Sequence, residues 1–237
     1  LCGEAQDPQC WLGQTGDKRF LFSESGNAFV MYGVRGRSWI VLGDPVGDPD
    51  EFEALVWSFL EYAAQSNGRP VFYEISGRNL ALWVEMGLTL HKTGEEAIIR
   101  LSDFSLSGGR FKTMRAAMNK RQRDGYECAL LSAPHDPALM AELRQISEAW
   151  LGGKAGHEKG FSVGRFDPDY LALFDIAVVR KDGRIAAFAN IMESCGGRRV
   201  SVDLMRYLPG EASGLMEYMF LCLIQHYKAR GAEEFSL

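Results

Sequence analysis

The residues that look most like chemistry are Asp203 and Arg206, in Val202-Asp203-Leu204-Met205-Arg206-Tyr207. An acid inside an otherwise apolar strand is costly unless it is paired or functional. The functional reading casts Asp203 as a base or as the orienter of an attacking hydroxyl, and Arg206 as a holder of a phosphate. On a regular strand, positions three apart point to opposite faces. Both can serve one site only if the strand ends or bulges near Met205. The ordinary alternative is a structural ion pair at a strand end.

Three further stretches could contribute. The small-residue loop Gly210-Glu211-Ala212-Ser213-Gly214 opens into a helix, where free N–H groups and the helix dipole suit a phosphate. Ser213 or a neighbour is expected to cap that helix. Arg110–Arg123 carries six basic residues: Arg110, Lys112, Arg115, Lys120, Arg121 and Arg123. Lys112, Arg115 and Arg123, with Asn119, recur on one helical face, which fits a phosphate-rich partner or an anionic lipid surface. The alternative is a solvated helix face. The loop from Gly156 to Phe166 mixes glycine, charge and aromatic residues, as an ordered functional loop would. His157 in that loop is a general-base candidate whose neighbours lend it no support. The other histidines have no spacing for zinc or a triad, and no Gly-x-Ser-x-Gly elbow occurs.

Stepping outward, these residues need a scaffold of strands and helices. Phe20–Phe22, Ala28–Val34 and Trp39–Leu42 read as a strand meander. The loop Gly43–Pro49, with Asp48 or Asp50 as cap, precedes a helix bearing Phe52, Leu55, Val56, Phe59 and Leu60 at helical spacing. Pro70–Ile75 is a strand, 79–86 a helix, and a strand near Ala97–Leu101 closes this half. Arg110–Arg123 and Pro137–Leu151 read as helices on either side of strand Tyr126–Leu131. Ile176–Val179 and Ile185–Met192 form a hairpin about Lys181-Asp182-Gly183. Strand Val200–Arg206, helix Leu215–Arg230 and strand Glu234–Leu237 complete the chain. Residues 1–18 read as a mobile lead-in. The order strand, Asp- or Pro-containing loop, helix, Gly, strand occurs in both 39–75 and 200–237, a weak internal duplication.

Composition sets the outer bounds. The chain has 237 residues, 46% hydrophobic and 24% charged, an ordinary globular balance. Its net charge of −5 excludes a generally basic nucleic-acid binder, so an anionic partner must meet a local patch. Five scattered cysteines lack a CxxC pair and read as reduced thiols, with Cys222 in the core. No apolar run reaches the roughly 18–20 residues of a membrane span. The end of the chain inside an apparent strand implies a natural continuation.

Four stretches together resemble a known family. They are Phe20–Gly26; Gly36–Trp39 with Leu42–Gly47; Glu158–Asp167; and Val202–Tyr207. In order, they resemble the C-terminal domain of the bacterial aminoacyl-phosphatidylglycerol synthases, the multiple peptide resistance factors. The resemblance implies an α/β fold of two tandem N-acyltransferase-like (GNAT) halves with mixed sheets flanked by helices. The halves would span 19–104 and 110–237, the second incomplete at its C-terminus. It implies transfer of lysine or alanine from aminoacyl-tRNA to phosphatidylglycerol, with resistance to cationic antimicrobial peptides as the outcome. Asp203 and Arg206 match the family's Asp-x-x-Arg as catalytic residues. Tyr170 matches the aromatic after Phe-Asp-Pro-Asp, and Glu158, Lys159 and Phe161 match a Glu-Lys-Gly-Phe-Ser loop; these, with Gly214, are expected to bind substrate. Lys112, Arg115, Arg121 and Arg123 are expected to hold tRNA phosphates. No metal or cofactor is implied. The expected partners are aminoacyl-tRNA, phosphatidylglycerol, the membrane surface and an N-terminal transmembrane flippase domain, at the cytoplasmic face of the inner membrane. Leu208, Gly210 and Glu217 depart from the family's usual Asp- and Pro-containing stretch after the strand. The rival readings are a coenzyme A-dependent N-acetyltransferase and a non-catalytic tRNA- or lipid-binding module.

Overall fold

The structure is a computed structural model that describes residues 1–153 and 158–237. The chain divides into two compact units. The first holds Leu1–Glu96 with Gly160–Ser162 and Ser194–Gly196, and the second holds Ala97–Lys159, Val163–Glu193 and Gly197–Leu237.

In the first unit, β1 (Arg19–Phe22), β2 (Ala28–Arg35) and β3 (Ser38–Leu42) form an antiparallel meander, and the short β4 (Val46–Gly47) pairs with β2. Asp48 accepts from Asp50 N–H, and Pro49 follows it, so the chain turns into α1 (Phe52–Gln65). The helix returns the chain to β5 (Arg69–Tyr73), parallel to β3. Phe52, Leu55, Phe59 and Ala63 are buried against Ala28, Val30, Tyr32, Trp39 and Val41. Tyr32 stacks on Trp39 at 5.5 Å and meets Phe59 edge-on at 5.1 Å. Burying Phe59 alone contributes about 2–3 kcal/mol. Gly68 is required where it stands, because a Cβ there would lie 2.5 Å from the Trp39 ring. A short helix, α2 (Leu80–Glu85), buries Trp83 beside Val56.

The first eighteen residues correct the sequence-based expectation of a mobile lead-in. They form two 3-10 helices, Cys2–Glu4 and Pro8–Thr15. Asp7 caps the second through Gln9 N–H, and Ala5, Cys10 and Leu12 are buried. Lys18 is buried too, bonded to Asp17 at 2.7 Å and Thr15 at 2.9 Å. The polar composition hid an apolar spacing of only a few residues.

The second unit contains β6 (Ile98–Arg100), α3 (Lys112–Arg123), β7 (Tyr126–Leu131), α4 (Pro137–Gly152), α5 (Pro168–Leu171), β8 (Ile176–Lys181), β9 (Arg184–Ser194), β10 (Arg199–Tyr207), α6 (Leu215–Ala229) and β11 (Glu234–Ser236). Its sheet runs β6-β11-β10-β9-β8-β7. Ile98–Arg100, expected to close the first half, pairs instead with β11. Local pattern identifies a strand but not a partner more than a hundred positions away. Leu215, Tyr218, Met219, Leu223, Ile224 and Tyr227 of α6 bury themselves on Ala177, Val179, Ala187, Ala189, Val200 and Phe235, and Cys222 lies partly buried beside them. The alanines let the helix approach the sheet closely.

The two expected mixed α/β halves flanked by helices are present. Each has a parallel strand pair joined by a helix: β3 and β5 through α1, β10 and β11 through α6. One terminus differs from expectation. Gly214, left-handed at φ 78°, is the N-cap of α6, and no side chain caps it. The Ser213 carbonyl instead accepts from Arg121.

Candidate active site in the second unit

The site grows from an irregularity in β10. Val202 and Met205 both lie against the core under α6, although they are three positions apart. The alternation therefore slips by one between them, as a bulge would produce. Leu204 N–H at this point donates to Asn190 Oδ1 at 2.8 Å. The slip places Asp203 and Arg206 on the opposite face together, the condition that the sequence spacing demanded.

Asp203 is fixed at both oxygens. Oδ1 accepts from Gly164 N–H at 2.7 Å, and Oδ2 accepts from the Tyr170 hydroxyl at 2.9 Å. Tyr170 is itself buried, in edge contact with Phe174 at 4.8 Å. Its helix, α5, is started by Asp167, which accepts from Asp169 and Tyr170 N–H, followed by Pro168. Gly164 is buried directly against the carboxylate, and an added Cβ would fall within it. Gly164→Ala should consequently lower activity by about 100-fold, the loss expected when a reacting group is displaced by about 1 Å. A steady-state assay of the purified variant checks this, and activity within threefold of the parent would remove the steric argument.

Arg206 is only 8% exposed. Its Nη2 donates to Glu158 Oε1 at 2.7 Å and its Nη1 to the Met205 carbonyl at 3.0 Å. The guanidinium lies 4.1 Å from the centre of the Trp150 ring on α4. Its Nε has no hydrogen-bond partner among the described residues. Glu158 Oε1 also accepts from Phe166 N–H at 3.0 Å, which ties the loop to the strand. Phe166 is braced by Phe188 at 6.2 Å and Arg144 at 5.0 Å.

Of the residues expected from sequence, Asp203, Arg206, Tyr170 and Glu158 come together. Lys159 is exposed. Phe161 belongs with the first unit, where its N–H donates to Asp17 Oδ2 at 3.0 Å and Lys18 lies 5.6 Å from its ring. Burial pushes Asp17 upward, but hydrogen bonds from Lys18, Thr15 and Phe161 N–H outweigh it and hold the carboxyl at about 2. Gly214 stands at the α6 terminus. On α3, Arg115 donates to the carbonyls of Leu106 and Gly108, and Arg121 is bound to Asp124 and Ser213. These two arginines anchor the fold locally, whereas Lys112 and Lys120 are exposed. Arg123 is exposed and donates to the Asn119 carbonyl within its helix. His157 lies outside the described residues.

Sequence reasoning missed Gly164, Trp150 and Asn190. Gly164 had only its small size as a signal, and Trp150 read as one more apolar residue of α4. It also missed a cleft in the first unit lined by Asp7, Gln9, Cys10, Asp44 and Arg78. That cleft is largely self-paired: Arg78 bonds Asp7 at 2.9 Å, Gln9 bonds Glu74, and Asp44 accepts from Ser76. Burial raises the Asp44 carboxyl above its usual range. The second-unit cluster has the stronger chemistry, with an oriented carboxylate and a buried guanidinium on one sheet face. A carboxylate has about four lone-pair positions, so Asp203 can take a proton while held by two donors. Arg206 offers planar N–H donors to a developing oxyanion.

Comparison with known proteins locates this arrangement. The family model described as phosphatidylglycerol lysyltransferase, C-terminal, matches residues 3–237. A phosphatidylglycerol lysyltransferase of Bacillus subtilis (strain 168) is 39% identical over 227 residues, which is 95% of this chain and 26% of that protein. Its counterpart in Staphylococcus aureus (strain MRSA252) is 34% identical over 224 residues, again 26% of that protein. The chain thus spans about a quarter of the length of these curated relatives. Among solved structures, the C-terminal domain of a putative lysylphosphatidylglycerol synthetase from Agrobacterium fabrum superposes with a TM-score of 0.94 at 42% identity, covering 98% of this chain and 73% of that one. L-PGS from Bacillus licheniformis gives 0.92 at 39% identity, covering 98% and 71%. With the match running through both sheets and the Asp203–Arg206 strand, the chain belongs to the phosphatidylglycerol lysyltransferase C-terminal family.

Proposed function

We propose that this chain is the catalytic portion of a phosphatidylglycerol aminoacyltransferase that takes lysine or alanine from aminoacyl-tRNA. The observation that carries the reading is Asp203, oriented by Gly164 N–H and the Tyr170 hydroxyl on the sheet face that also holds buried Arg206. A glycerol hydroxyl of the lipid attacks the aminoacyl carbonyl carbon. Asp203 takes the hydroxyl proton as the new C–O bond forms. Arg206 stabilises the tetrahedral oxyanion. Collapse breaks the C–O bond to the terminal ribose of the tRNA, and the proton passes to that ribose oxygen. Glu158 and Trp150 position Arg206, and Tyr170 positions Asp203. Ester exchange of this kind calls for no redox or nucleotide cofactor. In the whole protein, an N-terminal membrane domain would move the product, with this portion at the cytoplasmic face of the bacterial membrane. The resulting change in membrane charge would confer resistance to cationic antimicrobial peptides.

The test is to incubate the chain with phosphatidylglycerol vesicles and tRNA charged with labelled lysine or alanine. Label in the lipid fraction is expected. Label transfer only from acetyl-coenzyme A would replace the proposal with an N-acetyltransferase, and tight binding of both substrates without turnover would make the chain a binding module.

The exposed cations of α3 are the proposed tRNA contacts. Lys112→Glu combined with Lys120→Glu should weaken tRNA binding and flatten the slope of log affinity against log salt by about 1.4, at roughly 0.7 per lost single-strand phosphate contact. Filter binding across a salt series measures this. An unchanged dissociation constant at low salt would take α3 out of the tRNA contact.

A further inference from the structure

The first sheet has one face under α1, occupied by Val30, Tyr32, Trp39, Val41 and Phe72. Side chains alternate, so the other face carries the intervening residues. At one end of that face Arg35 is the register partner of Ser38, and Ser38 is the register partner of Arg69. Two guanidinium groups therefore flank one hydroxyl across three adjacent strands. With strands about 4.8 Å apart, the two arginines start about 10 Å from each other, and both can turn onto one phosphate. Both are exposed, and neither side chain has an ion pair or hydrogen bond among the described residues. Arg37, in the same turn, is different: it donates to the Asn67 carbonyl at 3.1 Å and to Asn67 Oδ1 at 2.9 Å.

The next row inward is apolar. Gly33 is paired with Ile40, and Ile40 with Val71. Val71 is 45% exposed. The Phe161 ring rests on Gly33, close enough that a Cβ there would stand 3.0 Å from it. Phe161 reaches this position with a left-handed backbone at φ 69°, a conformation that costs a non-glycine residue about 1–3 kcal/mol. Unpaired cations beside an exposed apolar floor are the complement of an anionic amphiphile.

We propose that Arg35 and Arg69, with Ser38 between them, bind the phosphodiester of an anionic phospholipid whose apolar portion lies along Ile40, Val71 and Phe161. The proposal deepens the reading of the chain as a phosphatidylglycerol aminoacyltransferase and rests on it. A nucleic acid would meet the same two charges, but the aliphatic Ile40–Val71 floor offers it no base-stacking plane, so the lipid is favoured.

The experiment is flotation of the full chain with phosphatidylcholine vesicles, with and without phosphatidylglycerol. Arg35→Gln combined with Arg69→Gln should reduce binding to the phosphatidylglycerol vesicles about 25-fold, the product of roughly fivefold per cation near an anionic surface. Val71→Glu, at an exposed position, should also weaken it. Arg184→Gln, which removes one positive charge from an exposed hairpin of the second unit, should change it less than twofold. Soluble short-chain phosphatidylglycerol should compete where inorganic phosphate at the same concentration does not. Binding by the double variant within twofold of the parent overturns the proposal, as does an equal loss in Arg184→Gln or equal competition by phosphate. Loss of tRNA affinity with vesicle binding intact would also overturn it, making the patch an RNA contact. The transfer assay is read separately. Lipid labelling with the arginine pair indifferent sinks this site and leaves the activity standing. Pair-dependent vesicle binding without labelling keeps the lipid site and sinks the activity.

Discussion

Asp203→Asn should lower lipid aminoacylation by about 10²–10⁴-fold, the range for loss of a positioned general base. The substitution is chosen because it keeps the shape. The asparagine oxygen can accept from Gly164 N–H as Oδ1 does now, and its amide can donate to the Tyr170 hydroxyl, which then acts as acceptor. What is lost is the ability to take a proton. Thermal unfolding should move by no more than a few degrees, because no cavity is opened and the Tyr170 hydroxyl proton can turn to Met192 Sδ, 3.9 Å away. Tyr170→Phe should have a smaller effect, near tenfold, since it removes one orienting bond worth about 1.4 kcal/mol and spares the carboxylate. A merely structural aspartate would show the reverse pattern, with melting temperature falling and activity per folded molecule preserved. Activity of Asp203→Asn within threefold of the parent would end the base assignment.

Arg206→Ala should fail in two ways at once. Turnover should fall by about 10²–10³-fold, the cost of removing an oxyanion donor. Stability should drop as well, by about 2–4 kcal/mol, because Glu158 loses its ion-pair partner in a site where it is 23% exposed, and Trp150 loses the cation on its face. The two effects separate in a second variant. Arg206→Lys keeps a charge near Glu158 but has neither the planar fork nor the stacking surface, so it should recover part of the stability and little of the turnover. A double-mutant cycle with Glu158→Gln should show a coupling of at least about 0.5 kcal/mol in chemical denaturation, as expected for groups in direct contact. Additive losses would mean that the 2.7 Å ion pair contributes nothing to the fold. Full turnover by Arg206→Lys would reduce Arg206 to a bulk charge.

How far the sequence could be read depended on the range of the interactions involved. Strands with period-two burial and helices opened by Asp-Pro were legible because their signals are local. Tyr126–Leu131 and α4 are examples. The site's polar members were legible too, since an acid in an apolar strand is conspicuous wherever it lies. The slip in β10 was visible only as a condition, because its signature is a partner on another strand, Asn190. Gly164 was not legible as a site residue. Its importance is an absence of atoms beside Asp203, and nothing in its neighbours announces that. The basic helix was over-read for a related reason. Composition counted Arg115 and Arg121 as available cations, but carbonyls of Leu106, Gly108 and Ser213 had already engaged them. The placement of β6 and the order in residues 1–18 also lay beyond local pattern, since each depends on contacts remote in the chain.

The seat of β11 has a consequence for biosynthesis. Glu234–Ser236 pairs with β10 on one side and with Ile98–Arg100 on the other. As the polypeptide leaves the ribosome, Ile98–Arg100 emerges well before the strand that will hold it, and its main-chain groups must wait in solvent. Native closure of this sheet thus waits for Glu234–Ser236, however early the first sheet forms. Nascent chains stalled before Glu234 should present two orphaned strand edges to chaperones, and emergence of Glu234–Ser236 should withdraw both at once.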